Sequence, residues 1–174
     1  MAGKTGLGYT ETLLENLDRE IAWGGTTTFV GHRRKVIALT DLADSGAIRS
    51  AITAAESGAV FTVPGLTSGT QTITLPALAS TTTGCTYTFV MLATAAQDFN
   101  VLGADSDKLL GVVPKGDGDN TAISQAYDSV GFDATAVLGT TFSVTCISAT
   151  AGTGWLIHDV AEGLAANTGG LNLA

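Results

Sequence analysis

From residue 60 to residue 160 the chain is a succession of short strand-like runs, several of which alternate apolar and polar residues with period two. The cleanest is Thr141-Phe142-Ser143-Val144-Thr145-Cys146-Ile147-Ser148. Successive side chains of a strand point to opposite faces, so such a run buries one face and wets the other. Helical spacing would scatter the same residues around a cylinder. Comparable runs occupy 60–63, 71–75, 85–92, 99–102, 109–113 and 154–160, with a weaker one over 134–138. Gly, Ser, Thr and Asp turns separate them. No long helical pattern alternates with these runs, which argues against a parallel α/β sheet. The expected class is mainly β, with an antiparallel β-sandwich or jelly-roll-like body over residues 59–160.

Residues 1–58 have a different texture. Leu13, Leu14, Leu17 and Ile21 share a helical stripe over 11–23, Thr10 is placed to cap it, and Gly24-Gly25 ends it. Residues 44–56 carry a second helical pattern through Ile48, Ile52 and Ala55. Helices this short are marginal alone in water and need a partner surface. The expectation is an N-terminal arm over 1–58 containing one or two short helices, and a loosely held Gly/Ala/Asn-rich tail over 161–174.

Charge supports this division. Only 14% of the residues are charged, and 27 threonines keep exposed strand faces wet in their place. Residues 1–50 are net neutral but hold six of the eight cations, including the Arg33-Arg34-Lys35 cluster. The remainder carries the whole net charge of −8. Such a body repels phosphate, so nucleic acid is not an expected partner. The first residues have no apolar signal stretch, and no run approaches the ~20 apolar residues of a membrane span. The expectation is a chain made in the cytoplasm with no membrane partner.

Motifs of chemistry are few. Gly3-Lys4-Thr5 lacks the first glycine and preceding strand of a phosphate loop. Asp117-Gly118-Asp119-Asn120 offers oxygen ligands but lacks the closing Glu of a calcium loop, and turn formation accounts for the same residues. His32 extends the basic cluster, and His158 lies in a strand as a structural residue with one satisfied nitrogen. Cys85 and Cys146 sit in strand runs as small buried apolar residues, a single bridge between them being the alternative. Trp155 is expected to plug the β core. Trp23 is either an interface anchor or packs on the chain's own body. No catalytic, cofactor-binding or metal-binding residues are expected, and the chain is read as a non-enzyme.

Four stretches then carry a resemblance: Thr72-Ile73-Thr74-Leu75-Pro76-Ala77, Gly84-Cys85-Thr86-Tyr87-Thr88-Phe89-Val90, Asp98-Phe99-Asn100-Val101 leading into Lys108-Leu109-Leu110-Gly111, and Gly152-Thr153-Gly154-Trp155-Leu156-Ile157. Over roughly residues 60–160 the chain resembles capsid decoration (cement) proteins of tailed bacteriophages and related head-fibre modules. The resemblance implies a β-sandwich body, frequent homotrimers, and an extension that grips neighbouring subunits of the major capsid protein. It implies a place on the outer surface of the virion. The contact is expected on Tyr9, Leu13, Leu17, Trp23, Arg33 and Arg34, and deletion of 1–37 is expected to abolish attachment while leaving a folded body. The alternative is a tail-fibre or spike module binding host-surface glycan through Tyr127, Asp128 and Trp155. An enzyme using the grouped carboxylates is the remaining rival.

Overall fold

The structure is a computed structural model that describes residues 34–49, 51–104, 109–114, 120–150, 154–161 and 171–173; for 112–114, 120–127 and 171–173 the backbone alone is described. The chain divides into two units, Met1–Arg33 and Arg34–Ala174. The helix expected over 11–23 and the extended segment at 26–30 lie outside the described residues.

The second unit is mainly β. Its strands are β1 Val36–Ala38, β2 Gly46–Ala47, β3 Val60–Val63, β4 Gln71–Thr74, β5 Thr86–Met91, β6 Phe99–Leu102, β7 Leu109–Pro114, β8 Asn120–Tyr127, β9 Ser129–Phe132, β10 Thr141–Cys146, β11 Trp155–Ala161 and β12 Leu171–Leu173. They form a seven-stranded sheet in the order β1-β3-β5-β10-β11-β7-β8 and a five-stranded sheet in the order β12-β9-β6-β4-β2.

Both sheets are mixed rather than antiparallel. From β1 to β6 the strands alternate between the two sheets, so β1, β3 and β5 lie parallel in one and β2, β4 and β6 parallel in the other. Val36 stands beside Val60 and Val60 beside Thr88, so one coil takes 24 residues and the next 28. Parallel neighbours need a crossover of a dozen or more residues, usually helical. Here a strand of the opposite sheet is the crossover, which is why a helix-poor sequence still builds parallel pairs. The antiparallel strands come later: β9 and β10 close onto β6 and β5, β11 and β12 onto β10 and β9, and β7–β8 pair as a hairpin. Three parallel coils are not the antiparallel arrangement of a jelly roll.

Alternation places the core as the sequence predicts. Phe61, Phe89 and Phe142 are register partners across β3, β5 and β10, with ring centroids 5.3 and 5.1 Å apart. Phe99 and Phe132 are partners across β6 and β9 at 6.1 Å. The two rows meet between the sheets, Phe89 on Phe99 at 6.2 Å and Phe132 on Phe142 at 5.1 Å. One buried cluster thus joins both sheets.

Four expectations are corrected. Residues 44–56 are not a helix: they form β2 and a single 3-10 turn at Ala54–Glu56. Ile48 and Ile52 donate their N–H groups to Thr72 and Thr74, so pairing with β4 overrides a helical pattern too short to stand alone. The described part of the expected arm, 34–58, is built into the sheets rather than separate from them. In the expected tail, Leu171–Leu173 is a strand paired with β9. The weak run at 134–138 is a turn, held by the Ala95 N–H on the Ala136 carbonyl at 2.9 Å.

Candidate functional site

Of the six expected contact residues, Tyr9, Leu13, Leu17, Trp23 and Arg33 lie outside the described residues. Arg34 is exposed and opens the β unit. Lys35 is exposed beside it and its carbonyl accepts the Val60 N–H at 2.8 Å. Val36 follows at 65% exposure. Two cations and an exposed valine therefore stand at the start of β1, the edge strand of the larger sheet. β2, from the same coil, is the edge of the smaller sheet. An edge strand presents N–H and C=O groups along one side, and short length and charge are the usual protection against stray pairing. This first coil has both.

Behind the edge, polar latches hold the loops. The Asp41 carboxylate accepts the Thr67 hydroxyl at 2.7 Å, the Thr67 N–H at 3.2 Å, and Gln71 Nε2. The Thr67 hydroxyl above all holds the Asp41 carboxyl below its usual range, against the opposing effect of burial. Glu56 accepts both the Thr53 N–H at 3.0 Å and the Arg49 guanidinium at 3.0 Å. Burial alone would raise the Glu56 pKa, but these donors and the Arg49 charge leave it lowered. Arg49 also covers the Phe61 ring at 5.7 Å.

The outer face of the larger sheet carries a second polar constellation. Thr86 and Thr145 hydroxyls are 2.7 Å apart, and Thr88 and Ser143 hydroxyls 2.9 Å. The Thr145 hydroxyl lies 2.7 Å from His158 Nε2, and His158 Nδ1 lies 2.8 Å from the Asp159 carboxylate. Adjacent strand residues normally point to opposite faces. Here β11 bulges between its Thr141 and Ser143 partners, and Asp159 takes a φ of 50°. The bulge turns the Asp159 carboxylate onto its own neighbour. The carboxylate accepts from Nδ1–H, which leaves Nε2 to accept from the Thr145 hydroxyl. Both ring nitrogens of His158 are therefore partnered, one more than its sequence context predicts.

A hydroxyl, an imidazole and a carboxylate in this order can polarise an O–H bond. The same bonds also tie β5, β10 and β11 across their outer face, as cross-strand pairs do. The sequence does not announce this group, because its members are 13 residues apart at the closest cross-strand link and meet only through register.

Trp155 is fully buried against Tyr87 at 5.8 Å, as a core plug. It cannot offer a stacking face to a sugar. Among the described residues no group of three His, Cys, Asp or Glu side chains is placed to hold a metal ion. No described helix is long and apolar enough to cross a membrane. Asp105, Asp107, Asp117 and Asp119 lie outside the described residues. Compared with known proteins, the chain matches no family model and no curated protein.

Proposed function

We propose that the chain is a structural virion protein that decorates the assembled shell of a tailed phage. It cements that shell by bridging neighbouring copies of the major capsid protein, and it acts as a homotrimer on the outer surface. The observation that carries this reading is the division at Arg33/Arg34. A 33-residue leading segment whose sequence spaces apolar residues as a helix would precedes a β unit with its own buried core. That unit is entered through an edge coil bearing Arg34, Lys35 and an exposed Val36. An attachment protein needs such a pair of parts: a body that folds without its target, and a segment whose apolar groups gain from meeting one. In this reading the two facing sheets are a sandwich body, and its net acidity faces outward and keeps particles apart. A segment that binds only assembled shell stabilises the assembled state by mass action.

The β register sets the test more finely than the sequence does. Deletion of 1–37 would cut into β1, whereas deletion of 1–33 stops short of it. The shorter deletion is expected to keep the β unit folded and to abolish co-sedimentation with shells. Immunogold labelling of particles with antibody to residues 59–174 is expected to cover the head. Label confined to the tail tip would replace this reading with host recognition by a fibre or spike module.

A further inference from the structure

We infer that Cys85 and Cys146 are a latent cross-strand disulfide, a thiol pair that closes when the folded chain meets a small-molecule disulfide oxidant. The inference is independent of the attachment reading.

The register of β5 and β10 sets Thr86 against Thr145 and Tyr87 against Val144. One step further the ladder ends in a bulge, with Gly84 and Cys85 together opposite Cys146. Two hydrogen bonds fix that step: the Cys146 N–H on the Cys85 carbonyl at 2.9 Å, and the Gly84 N–H on the Cys146 carbonyl at 2.8 Å. Both side chains share the inward face with Tyr87, Phe89, Phe142 and Val144, and both are buried as free thiols. In such a bulge the residue whose carbonyl takes the partner's N–H stays beside that partner, near the Cα spacing of about 5.5 Å of a hydrogen-bonded antiparallel pair. That falls inside the roughly 4.4–6.8 Å window of disulfides. Among the described residues the thiols make weak polar contacts: Cys85 Sγ lies 3.9 Å from the Ala54 carbonyl, and Cys146 Sγ lies 3.4 Å from the Ser148 carbonyl and 3.9 Å from the Thr82 hydroxyl. Little has to be given up for a sulfur–sulfur bond.

The pair also has an entry route. Cys85 sits where β5 meets the turn through Ser80, Thr81, Thr83 and Gly84, all exposed. Gly84 has a φ of 88° and open space where a side chain would stand, so no side chain at that position covers the approach to Cys85. With oxidised glutathione, the Cys85 thiolate attacks one glutathione sulfur and releases the first glutathione thiolate. The Cys146 thiolate then attacks the Cys85 sulfur and releases the second. Two protein thiols are oxidised, one glutathione disulfide is reduced to two thiols, and the two protons pass to the leaving thiolates. Reducing cytosol keeps such a pair open and an oxidising exterior closes it.

The test uses the folded full chain, first reduced and freed of reductant, then held with oxidised glutathione, then denatured in an alkylating agent. The expected product is about 2 Da lighter than the reduced chain, takes no alkyl group, and yields a peptide linking Cys85 to Cys146. Closing a loop of about 60 residues should raise the melting temperature by about 5–10 °C. Cys85→Ser and Cys146→Ser should each show no such rise. Two alkylated thiols, glutathione adducts on both cysteines, or a cross-link between chains would each overturn the inference, as would an unchanged melting temperature in the cross-linked chain. The denatured chain in the same oxidant is the control that the reagent is active.

Discussion

Phe89 touches Phe61 and Phe142 within its own sheet and Phe99 across the core. Removing a fully buried ring costs its transfer free energy and leaves a cavity that a close-packed interior fills only in part. Phe89→Ala should therefore destabilise the β unit by about 3–5 kcal/mol, read from urea unfolding. A loss below about 1 kcal/mol would mean that the two rows of rings do not depend on one another. Asp159 offers a test of opposite sign. Its left-handed backbone favours glycine, whereas its carboxylate holds His158. Asp159→Ala keeps the strain and loses the bond, while Asp159→Gly loses the bond and relieves the strain. Alanine should be the less stable of the two by about 1 kcal/mol, again by urea unfolding. Tyr87 is pushed well above its usual range, first by burial and then by neighbouring Cys85, while its hydroxyl donates to the Thr53 carbonyl at 3.1 Å. A raised folded-state pKa leaves stability intact below the unfolded value of about 10 and erodes it above. Unfolding titrations should show stability falling beyond about pH 10, less steeply in Tyr87→Phe.

At the scale of elements, direction and register decide what a substitution does. Gly131 in β9 stands opposite Asn100 in β6, and a Cβ there would lie 1.7 Å from the Phe99 carbonyl oxygen. That obstacle is backbone and cannot swing aside. Gly131→Ala should disrupt the β6–β9 pairing and lower the melting temperature by at least about 10 °C, whereas an exposed alanine substitution leaves it within a degree or two. β1 is the corresponding test of the coil. Cutting before residue 34 leaves every described strand in place, but cutting before residue 39 removes β1 and exposes the edge of β3, which carries Phe61 and Val63. The longer truncation should melt lower than the shorter one by circular dichroism. Equal melting would mean that β1 contributes nothing to the body. The alternating runs of β3, β4, β5 and β6 are legible directly, because each buries one face more than the other; β10 alternates in sequence, but Ser143 is buried along with Phe142 and Val144. β9 is not legible: all four of its residues are buried, and a glycine interrupts the pattern. β2 is masked by helical spacing that tertiary pairing overrules.

For the whole molecule, acidity is both a surface property and a stability term. Asp41 and Glu56 have lowered pKa values in the folded state, so their contribution is present above the unfolded carboxylate range and disappears as pH falls through the folded values. Melting temperature should therefore hold near neutrality and fall below about pH 4, and Glu56→Gln should flatten part of that fall. At neutral pH residues 34–174 hold five cations against twelve acids, a net charge of −7, and screening that repulsion with salt should strengthen association between copies of the isolated body.

By itself the sequence determined that this chain is a β protein, which residues of its alternating runs face inward, and that charge divides unequally between its front and its body. Those properties follow from period-two burial and from composition, which act locally. Only the tertiary structure decided strand direction, because a run of alternating residues reads the same whether its neighbour is parallel or antiparallel. It also decided where the body begins. Val36–Ala38 and Gly46–Ala47 have too few residues to declare themselves, and they become strands only because β3 and β4 supply the other half of each ladder. The bond from the Cys146 N–H to the Cys85 carbonyl, and the Thr145 hydroxyl set beside His158, belong to that same level, since strand pairing alone brings such distant residues within reach.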